Sequence, residues 1–199
     1  MGNILNKYKK LELPVDDNYV NISKFSNNDV GKQLSPGFGY VFDTLIGKVG
    51  NLRAAMDYVT TPGYPKKLLG KKKLSKKDIE YIAYKKKKNI TNYWAIQTYL
   101  IAARIKSDET LIEEIKKLND DIYITSFNVY KNESLGVSSG LREVNYTMSR
   151  YVAAIRLIID LIKNNEFNDT KIIELIEASK DDKDKPLFDG VPFEINSPL

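Results

Sequence analysis

A short polar turn ahead of a predicted helix carries the side chains best suited to bind a ligand. The turn reads Asn-Glu-Ser-Leu-Gly over residues 132–136, and after a second turn at 138–140 a helix predicted from about Arg142 carries Asn145 and Arg156. Amide, carboxylate and guanidinium groups stand here where a packed core would take apolar side chains. The pattern therefore predicts a ligand-binding turn mounted on a rigid helix.

The absence of cysteine and histidine removes several kinds of chemistry. The chain has 199 residues, with no Cys and no His. Disulfides, thiolate nucleophiles, histidine bases, Ser-His-Asp triads and zinc sites built on either residue are therefore excluded. Any reaction must use carboxylates, lysine, tyrosine, hydroxyl groups or amides, and we predict no metal and no cofactor. The bias toward Lys, Asn and Ile fits an AT-rich genome and is common among bacteriophage accessory proteins.

Length and hydropathy predict one globular domain. A chain of 199 residues with 42% hydrophobic content is long enough for one core and short for two. We assign residues 1–180 to this domain and residues 181–199 to a C-terminal tail, where Phe188 and Phe193 would be the contacts if the tail binds a partner protein. No apolar run approaches the roughly 20 residues of a membrane span, and the N-terminus lacks a signal-peptide core, so we expect a cytoplasmic protein without a membrane partner.

One segment makes the chain basic. Eleven lysines lie between Lys66 and Lys88 against Asp78 and Glu80, a net charge of +9, so the rest of the chain carries −4 of the total of +5. Such a segment could bind nucleic acid, a polyanionic ligand or a protein. The alternative is a solvated helix with a mobile loop, held to the core by Ile79, Ile82 and Ala83. The run contains no arginine and few aromatic residues that could stack on bases.

Periodicity and capping residues predict an α+β fold that is mostly α. Strands are expected at 18–23, 39–46 and 122–129 from β-branched, aromatic and alternating residues. Helices are expected at 51–59, from a cap at Ser75 to about Lys87, from Thr91 or Asn92 through Ile105, from Ser107 or Asp108 through Leu118, from about Arg142 to Ile162, and at 170–179. The Trp-containing helix has apolar residues on more than one face and should be central and buried.

The order of these elements resembles the NADAR superfamily from about Phe25 to about Leu161. The turn Leu34-Ser35-Pro36 looks like that family's Phe-Ser-x-Phe turn, and residues 50–59 stand where it has a Ser-Glu-His-Tyr-Phe-Gln-type helix. Asn92-Tyr93-Trp94 stands where the family has a Trp at the start of a helix, and either Tyr93 or Trp94 could be its counterpart. Residues 131–136 stand where the family has an Asp followed by Trp-Gly. Residues 140–156 match its Gly-x-Asn turn and its closing Met-x-x-Arg helix. The resemblance implies a compact α-rich α+β domain and N-glycosidase activity on phosphoribosyl- or ADP-ribosyl-linked substrates.

The presumed acids of the family are amides in this chain. On this alignment the family's Glu falls on Asn51, and its Asp before Trp-Gly falls on Asn132. A carboxylate can accept a proton from water or stabilise an oxocarbenium-like centre, whereas an amide can only exchange hydrogen bonds. Hydrolysis is therefore either lost or transferred to Glu133 or Asp57, the two candidate catalytic residues.

The resemblance implies a pocket for a nucleotide-derived ligand such as ADP-ribose or a relative of NAD. Arg53 or Arg156 would contact phosphate, and Trp94 or a nearby Tyr would form the floor. Asn132 and Asn145 would contact ribose or base. The full set of implied ligand-binding residues is Ser35, Asn51, Arg53, Trp94, Asn132, Gly136, Asn145 and Arg156.

Four of these residues also have a purely structural interpretation. Asn51 and Asn145 could simply cap their helices. Arg156 could pair with a structural carboxylate, and Trp94 is more typical of a core than of a ligand site. An active N-glycosidase and a basic binding module acting through residues 66–88 stay open as alternatives to a ligand-binding protein.

Overall fold

Short helices dominate the fold. The computed structural model describes residues 8–11, 19–24, 26–83, 90–132, 141–145 and 149–180, with the backbone alone at 8–11, 83, 127–132 and 141–145. The strands are β1 (Tyr8–Leu11), β2 (Tyr19–Asn21), β3 (Phe42–Thr44), β4 (Gly47–Val49), β5 (Tyr123–Thr125), β6 (Phe127–Asn132) and β7 (Leu141–Asn145). The helices are α1 (Asp29–Gln33), α2 (Leu52–Thr60), α3 (Lys66–Leu69), α4 (Lys76–Ala83), α5 (Tyr93–Lys106), α6 (Glu109–Lys116), α7 (Arg150–Lys163) and α8 (Asp169–Ala178). The predicted α+β class, mostly α, is confirmed. Within the described ranges, no helix is long and apolar enough to cross a membrane.

Helix α5 is the centre of the main core. Leu100, Ile101 and Ile105 on this helix are fully or almost fully buried, as its two-sided apolar pattern predicted. It packs against α2, α6, α7, α8 and β3. Helix α7 adds a second apolar stripe, with Ile155 and Ile158 fully buried. The two longest helices therefore hold the shorter elements in place.

Three helices begin at residues that the sequence indicated. Asn51 caps α2, and Asp108 caps α6 by accepting a hydrogen bond from the Leu111 amide at 3.1 Å. At α4, Ser75 Oγ accepts from the Asp78 amide at 3.2 Å, and Asp78 Oδ2 accepts from the Ser75 amide at 2.9 Å. This reciprocal pair is a capping box. Local side-chain chemistry was sufficient to locate these helix ends.

The prediction that one helix runs from about Arg142 to Ile162 is wrong at its start. Residues Leu141–Asn145 form β7, which pairs antiparallel with β6, and α7 begins at Arg150. Ser149 caps α7 by accepting a hydrogen bond from the Val152 amide at 3.4 Å. Asn145 therefore lies in a strand and does not cap the helix that carries Arg156. Pairing with β6 satisfies the backbone groups of β7, and a sequence window cannot show such a partner.

The strand predicted at 122–129 is two strands with different partners. β5 pairs parallel with β2, whereas β6 pairs antiparallel with both β1 and β7. Ser126 separates them and is buried, with its Oγ donating to the Ile22 carbonyl at 3.1 Å. The chain changes sheet at this residue. The third sheet is the β3–β4 hairpin, which leads directly into α2.

Candidate functional site

The start of α2 brings together three of the predicted site residues, Asn51, Arg53 and Asp57. Asn51 has an extended backbone with φ −169° and is 4% exposed. Its Oδ1 accepts from the Ala54 amide at 2.7 Å, and its Nδ2 donates to the carbonyls of Lys71 and Lys72 at 3.0 and 3.2 Å. Both ends of the amide are used inside the protein. Asn51 therefore acts as a helix cap and as a clamp on the Lys71–Lys72 backbone.

Arg53 and Asp57 form an ion pair one helical turn into α2. The Nε of Arg53 lies 3.3 Å from Oδ2 of Asp57. The Arg53 side chain is 66% exposed, whereas that of Asp57 is only 8% exposed. The Arg53 amide also donates to the Pro36 carbonyl at 2.7 Å, which ties the predicted 34–36 turn to α2. A buried carboxylate therefore holds an exposed guanidinium in a fixed position.

Two buried tyrosines lie within electrostatic range of Asp57. Burial, then the charge of Asp57 and that of Asp78, raises the pKa of Tyr64 to about 12. The Tyr64 hydroxyl is buried and has no hydrogen-bond partner among the described residues. Burial and then Asp57 also raise the pKa of Tyr93, while Gln97 and Arg53 oppose that shift. The surroundings of Asp57 are thus aromatic and largely dry.

Trp94 is part of the protein interior. It is 7% exposed and meets Tyr93 edge to face, with ring centroids 5.0 Å apart. The guanidinium carbon of Arg150, at the start of α7, lies 5.2 Å from the Trp94 ring. Tyr93 is 4% exposed. Both rings are therefore buried and offer little surface to a ligand.

Arg156 is occupied by the backbone of β5. Its Nε and Nη2 donate to the Ile124 carbonyl at 3.3 and 2.6 Å, and its guanidinium carbon lies 5.2 Å from the Tyr123 ring. The sequence suggested a structural carboxylate or a phosphate as the partner of Arg156. The partner is a carbonyl oxygen, so of the two proposed phosphate ligands Arg53 is the one left available.

Two predicted amides lie at opposite ends of the β6–β7 pair. Asn132 ends β6 opposite Tyr8, and Asn145 ends β7 opposite Phe127. Asn132 lies five residue steps along β6 from Phe127, which at about 3.4 Å per step places the two asparagine backbones roughly 17 Å apart. Glu133 and Gly136 lie outside the described residues.

No family model, curated protein or solved structure matches this chain. The resemblance to the NADAR superfamily therefore stays a prediction that rests on motif order alone.

Arg104 and Asp108 form a second buried polar group, which sequence reasoning missed. Arg104 is 2% exposed, and its Nη1 lies 3.0 Å from Oδ2 of Asp108. Its guanidinium carbon lies 3.7 Å from the Tyr40 ring, and burial lowers the pKa of Arg104 while Asp108 raises it. Nearby, the fully buried Tyr151 hydroxyl donates to the Leu34 carbonyl at 2.6 Å.

Within the described part of the chain, Arg104 Nη2 lacks a hydrogen-bond partner, and so does Oγ of Ser35, which follows Leu34 in the sequence. Ser35 is 4% exposed, so it is not open to a ligand at the surface. The spacing of Arg104 and Asp108, four residues apart across a helix junction, was the available signal for the pair. Its burial could not be inferred, because an i,i+4 ion pair is usually solvated.

A surface cleft of about 510 Å³ lies between β3, α5 and α8. None of the predicted site residues that the structure describes lines it. Its lining mixes apolar and polar side chains, and two of these, Lys106 and Asp169, form an ion pair. The lining includes Phe42, Tyr99, Ala103, Lys106, Asp169 and Ile172.

Proposed function

We propose that this protein binds a nucleotide-derived ligand, such as ADP-ribose or a relative of NAD, with Arg53 as the phosphate contact. The observation that carries the proposal is the Arg53–Asp57 pair. A two-thirds exposed guanidinium is fixed through one nitrogen by a buried carboxylate at 3.3 Å. Phosphate recognition benefits from such an arrangement, because a guanidinium presents several N–H donors in a rigid plane.

Preorganisation favours Arg53 over a freely moving surface arginine. Ordering a long side chain on binding costs about 0.5–1.5 kcal/mol, and Asp57 meets that cost during folding. The link from the Arg53 amide to the Pro36 carbonyl further fixes the backbone from which the side chain projects. A pyrophosphate or phosphate group would therefore meet a donor that is already in place.

The surroundings of Asp57 favour a protein that binds the ligand over one that uses Asp57 to hydrolyse it. This carboxylate is ion-paired and 8% exposed, so a reacting sugar carbon has little access to it. A nucleophile or base has to lie within hydrogen-bond reach of the reacting group. The N-glycosidase version therefore depends on Glu133.

The ligand test is thermal stabilisation by ADP-ribose, with NAD and ADP as related probes. At a ligand concentration of 100 times Kd, binding should stabilise the fold by about 2.7 kcal/mol. Arg53→Gln should weaken binding by about tenfold or more, because a charge-assisted hydrogen bond is lost. Lys116→Gln removes a charge from an exposed ion pair on α6 and serves as the matched control. The absence of stabilisation by all three probes at millimolar concentration would rule out the proposal.

Hydrolysis is tested separately by chromatography of ADP-ribosyl or phosphoribosyl compounds after long incubation. Cleavage by the native protein that disappears in Glu133→Gln would establish an N-glycosidase. Unchanged ligand with retained thermal stabilisation would establish a binding protein.

A second candidate function uses a different surface, the basic segment. All seven lysines that the structure describes there with their side chains are exposed. Nucleic acid or an acidic protein are the partners that this charge favours. Binding of either should weaken steeply as salt is raised, whereas ADP-ribose binding at one arginine should be far less sensitive.

A further inference from the structure

The lysines of α3, α4 and the loop between them form one surface, here named the basic platform. All of its lysines are exposed, and the described part of the segment also contains Asp78 and Glu80. The platform comprises Lys66, Lys67, Lys71, Lys72, Lys73, Lys76 and Lys77. From these observations we infer that the platform binds the phosphate backbone of nucleic acid independently of base sequence. This inference rests on the second candidate function and not on the nucleotide site, so either can fail alone.

The loop at the centre of the platform is held against the rest of the protein by close backbone contacts. Asn51 Nδ2 donates to the carbonyls of both Lys71 and Lys72. A Cβ atom on Gly50 would lie 2.1 Å from the Lys71 oxygen, and one on Gly39 would lie 2.9 Å from the Lys72 oxygen. Only glycine permits backbones to approach this closely. The glycines at positions 39 and 50 thus allow the lysine-bearing loop to pack directly against the backbone of the domain.

The two short helices of the platform share their own small core. Tyr64, Leu68 and Ile82 are buried together, with Tyr58 and Leu74 packed against them. The sequence predicted that both Ile79 and Ile82 contact the interior. This is correct for Ile82 and wrong for Ile79, whose side chain is 55% exposed. Packing of α3 and α4 on this cluster fixes the position of their lysines relative to the loop.

The two acids neutralise little of the platform charge. Asp78 accepts hydrogen bonds from Lys71 Nζ at 3.0 Å and from Ser75 Oγ at 2.8 Å, in addition to the Ser75 amide. It therefore acts mainly as the cap of α4. Glu80 lies 4.0 Å from Lys76 and is half exposed. Seven lysines against two acids leave a net charge of +5 over residues 66–83.

The type of cation indicates how nucleic acid would be contacted. Lysine is a point charge that meets single phosphate oxygens, whereas reading guanine uses the two-pronged geometry of arginine. The platform contains lysine throughout and no arginine. Phosphate contacts give affinity and orientation but carry no sequence information. Binding through this surface should therefore be indifferent to base sequence.

Anionic membranes and acidic proteins are less well matched. A membrane-surface helix buries a broad apolar face in the lipid, whereas the only large apolar side chains that α4 exposes among the described residues are Ile79 and Tyr81, and Leu68, Leu69 and Ile82 are already buried in the protein. Exposed lysines suit a nucleic-acid strand, which carries a phosphate at every nucleotide, better than an acidic peptide, whose carboxylates are irregularly spaced. These two partners are the competing outcomes of the test.

The test measures fluorescence anisotropy of two labelled 20-nucleotide strands of unrelated sequence across a salt series. Both strands should bind equally. Lys67→Gln/Lys72→Gln/Lys73→Gln should weaken both at least tenfold and lower the slope of log Kd against log salt by roughly 2 to 3, since about three phosphate contacts are lost. The matched control is Lys116→Gln/Lys117→Gln/Lys171→Gln, which removes the same charge from α6 and α8 and should change Kd less than twofold.

Several results would overturn the inference. These are an equal loss in the control variant, a strong preference for one sequence, or equally tight binding to polyglutamate or to phosphatidylserine vesicles. Circular dichroism would show that the triple variant is folded. ADP-ribose should stabilise the triple variant as much as it stabilises the native chain. This comparison separates the outcome for the basic platform from the outcome for the nucleotide proposal.

Discussion

At the scale of single residues, the arginines of this chain have distinct roles that their sequence context did not separate. Arg53 is exposed and paired with Asp57, Arg104 is buried and paired with Asp108, and Arg156 bonds to a carbonyl oxygen. Burial and partner type distinguish a ligand contact from a structural one. Substitutions at Arg156 and at the Arg104–Asp108 pair should therefore lower stability by different amounts.

Arg156→Gln should lower stability without affecting ligand binding. The substitution removes the hydrogen bonds at 3.3 and 2.6 Å to the Ile124 carbonyl, and a buried acceptor without its partner costs about 1–3 kcal/mol. Urea denaturation should show that loss, while the thermal shift produced by ADP-ribose stays at its native size. A lost shift in folded Arg156→Gln would restore Arg156 as a phosphate contact.

Asp108→Ala should be among the most destabilising single changes in the chain. It leaves the Arg104 guanidinium, which is 2% exposed, without its counter-charge, and breaking a buried ion pair in this way costs about 3–5 kcal/mol. It also removes the cap of α6. Arg104→Met, which replaces the cation by an apolar side chain of similar length, should cost clearly less. Equal unfolding midpoints for the two variants would show that the buried charge is not the cause.

At the scale of elements, the structure agrees with the sequence where the determinants are local. The caps at Asn51, Ser75 and Asp108 and the apolar pattern of α5 located four helices, because each depends on residues within one or two turns. Strand β7 was missed because its partner β6 lies elsewhere in the sequence. The candidate site was predictable in part for the same reason: Arg53 and Asp57 share a helix, whereas their contact with Tyr64 and Tyr93 is tertiary.

Gly50 provides a sharp test of how the β4–α2 junction meets the platform loop. Gly50→Ala would place a Cβ atom 2.1 Å from the Lys71 carbonyl oxygen, so the backbone has to shift. We expect a loss of about 1–3 kcal/mol, the usual cost of overpacking. Gly37→Ala is the matched control, since a Cβ atom there meets nothing within 4 Å. Its unfolding free energy should lie within about 1 kcal/mol of the native value.

Urea midpoints of the two alanine variants make the comparison. Similar midpoints would show that the loop moves freely and would remove the argument for a preorganised platform. A loss confined to Gly50→Ala, together with weaker oligonucleotide binding while every lysine is retained, would link the close backbone approach to the function of the surface.

At the scale of the whole molecule, Tyr64 lies between the two proposed functional surfaces. The charges of Asp57, in the candidate nucleotide site, and of Asp78, in the basic platform, both act on its hydroxyl. The ring also packs edge to face on Tyr58, with centroids 5.8 Å apart. Because this tyrosine is buried between a site residue and a platform residue, its ionisation should reach both surfaces and the stability of the fold.

The alkaline limit of stability should therefore be set in part by Tyr64. Its pKa rises from 10.0 to about 12 on folding, so the folded state holds the proton more tightly than the unfolded chain. The contribution of Tyr64 to the free energy of unfolding is fully present below pH 10 and is lost as the pH rises toward 12, because the unfolded chain releases the proton first.

Tyr64→Phe cannot ionise and should lose less stability than the native protein between pH 10 and 12. At pH 7 the variant should be close to native, since the hydroxyl that it removes has no hydrogen-bond partner among the described residues. Melting temperatures measured from pH 7 to 12, with the exposed Tyr81→Phe as the control, test this directly, and parallel curves for native protein and Tyr64→Phe would show that the tyrosine titrates alike in both states.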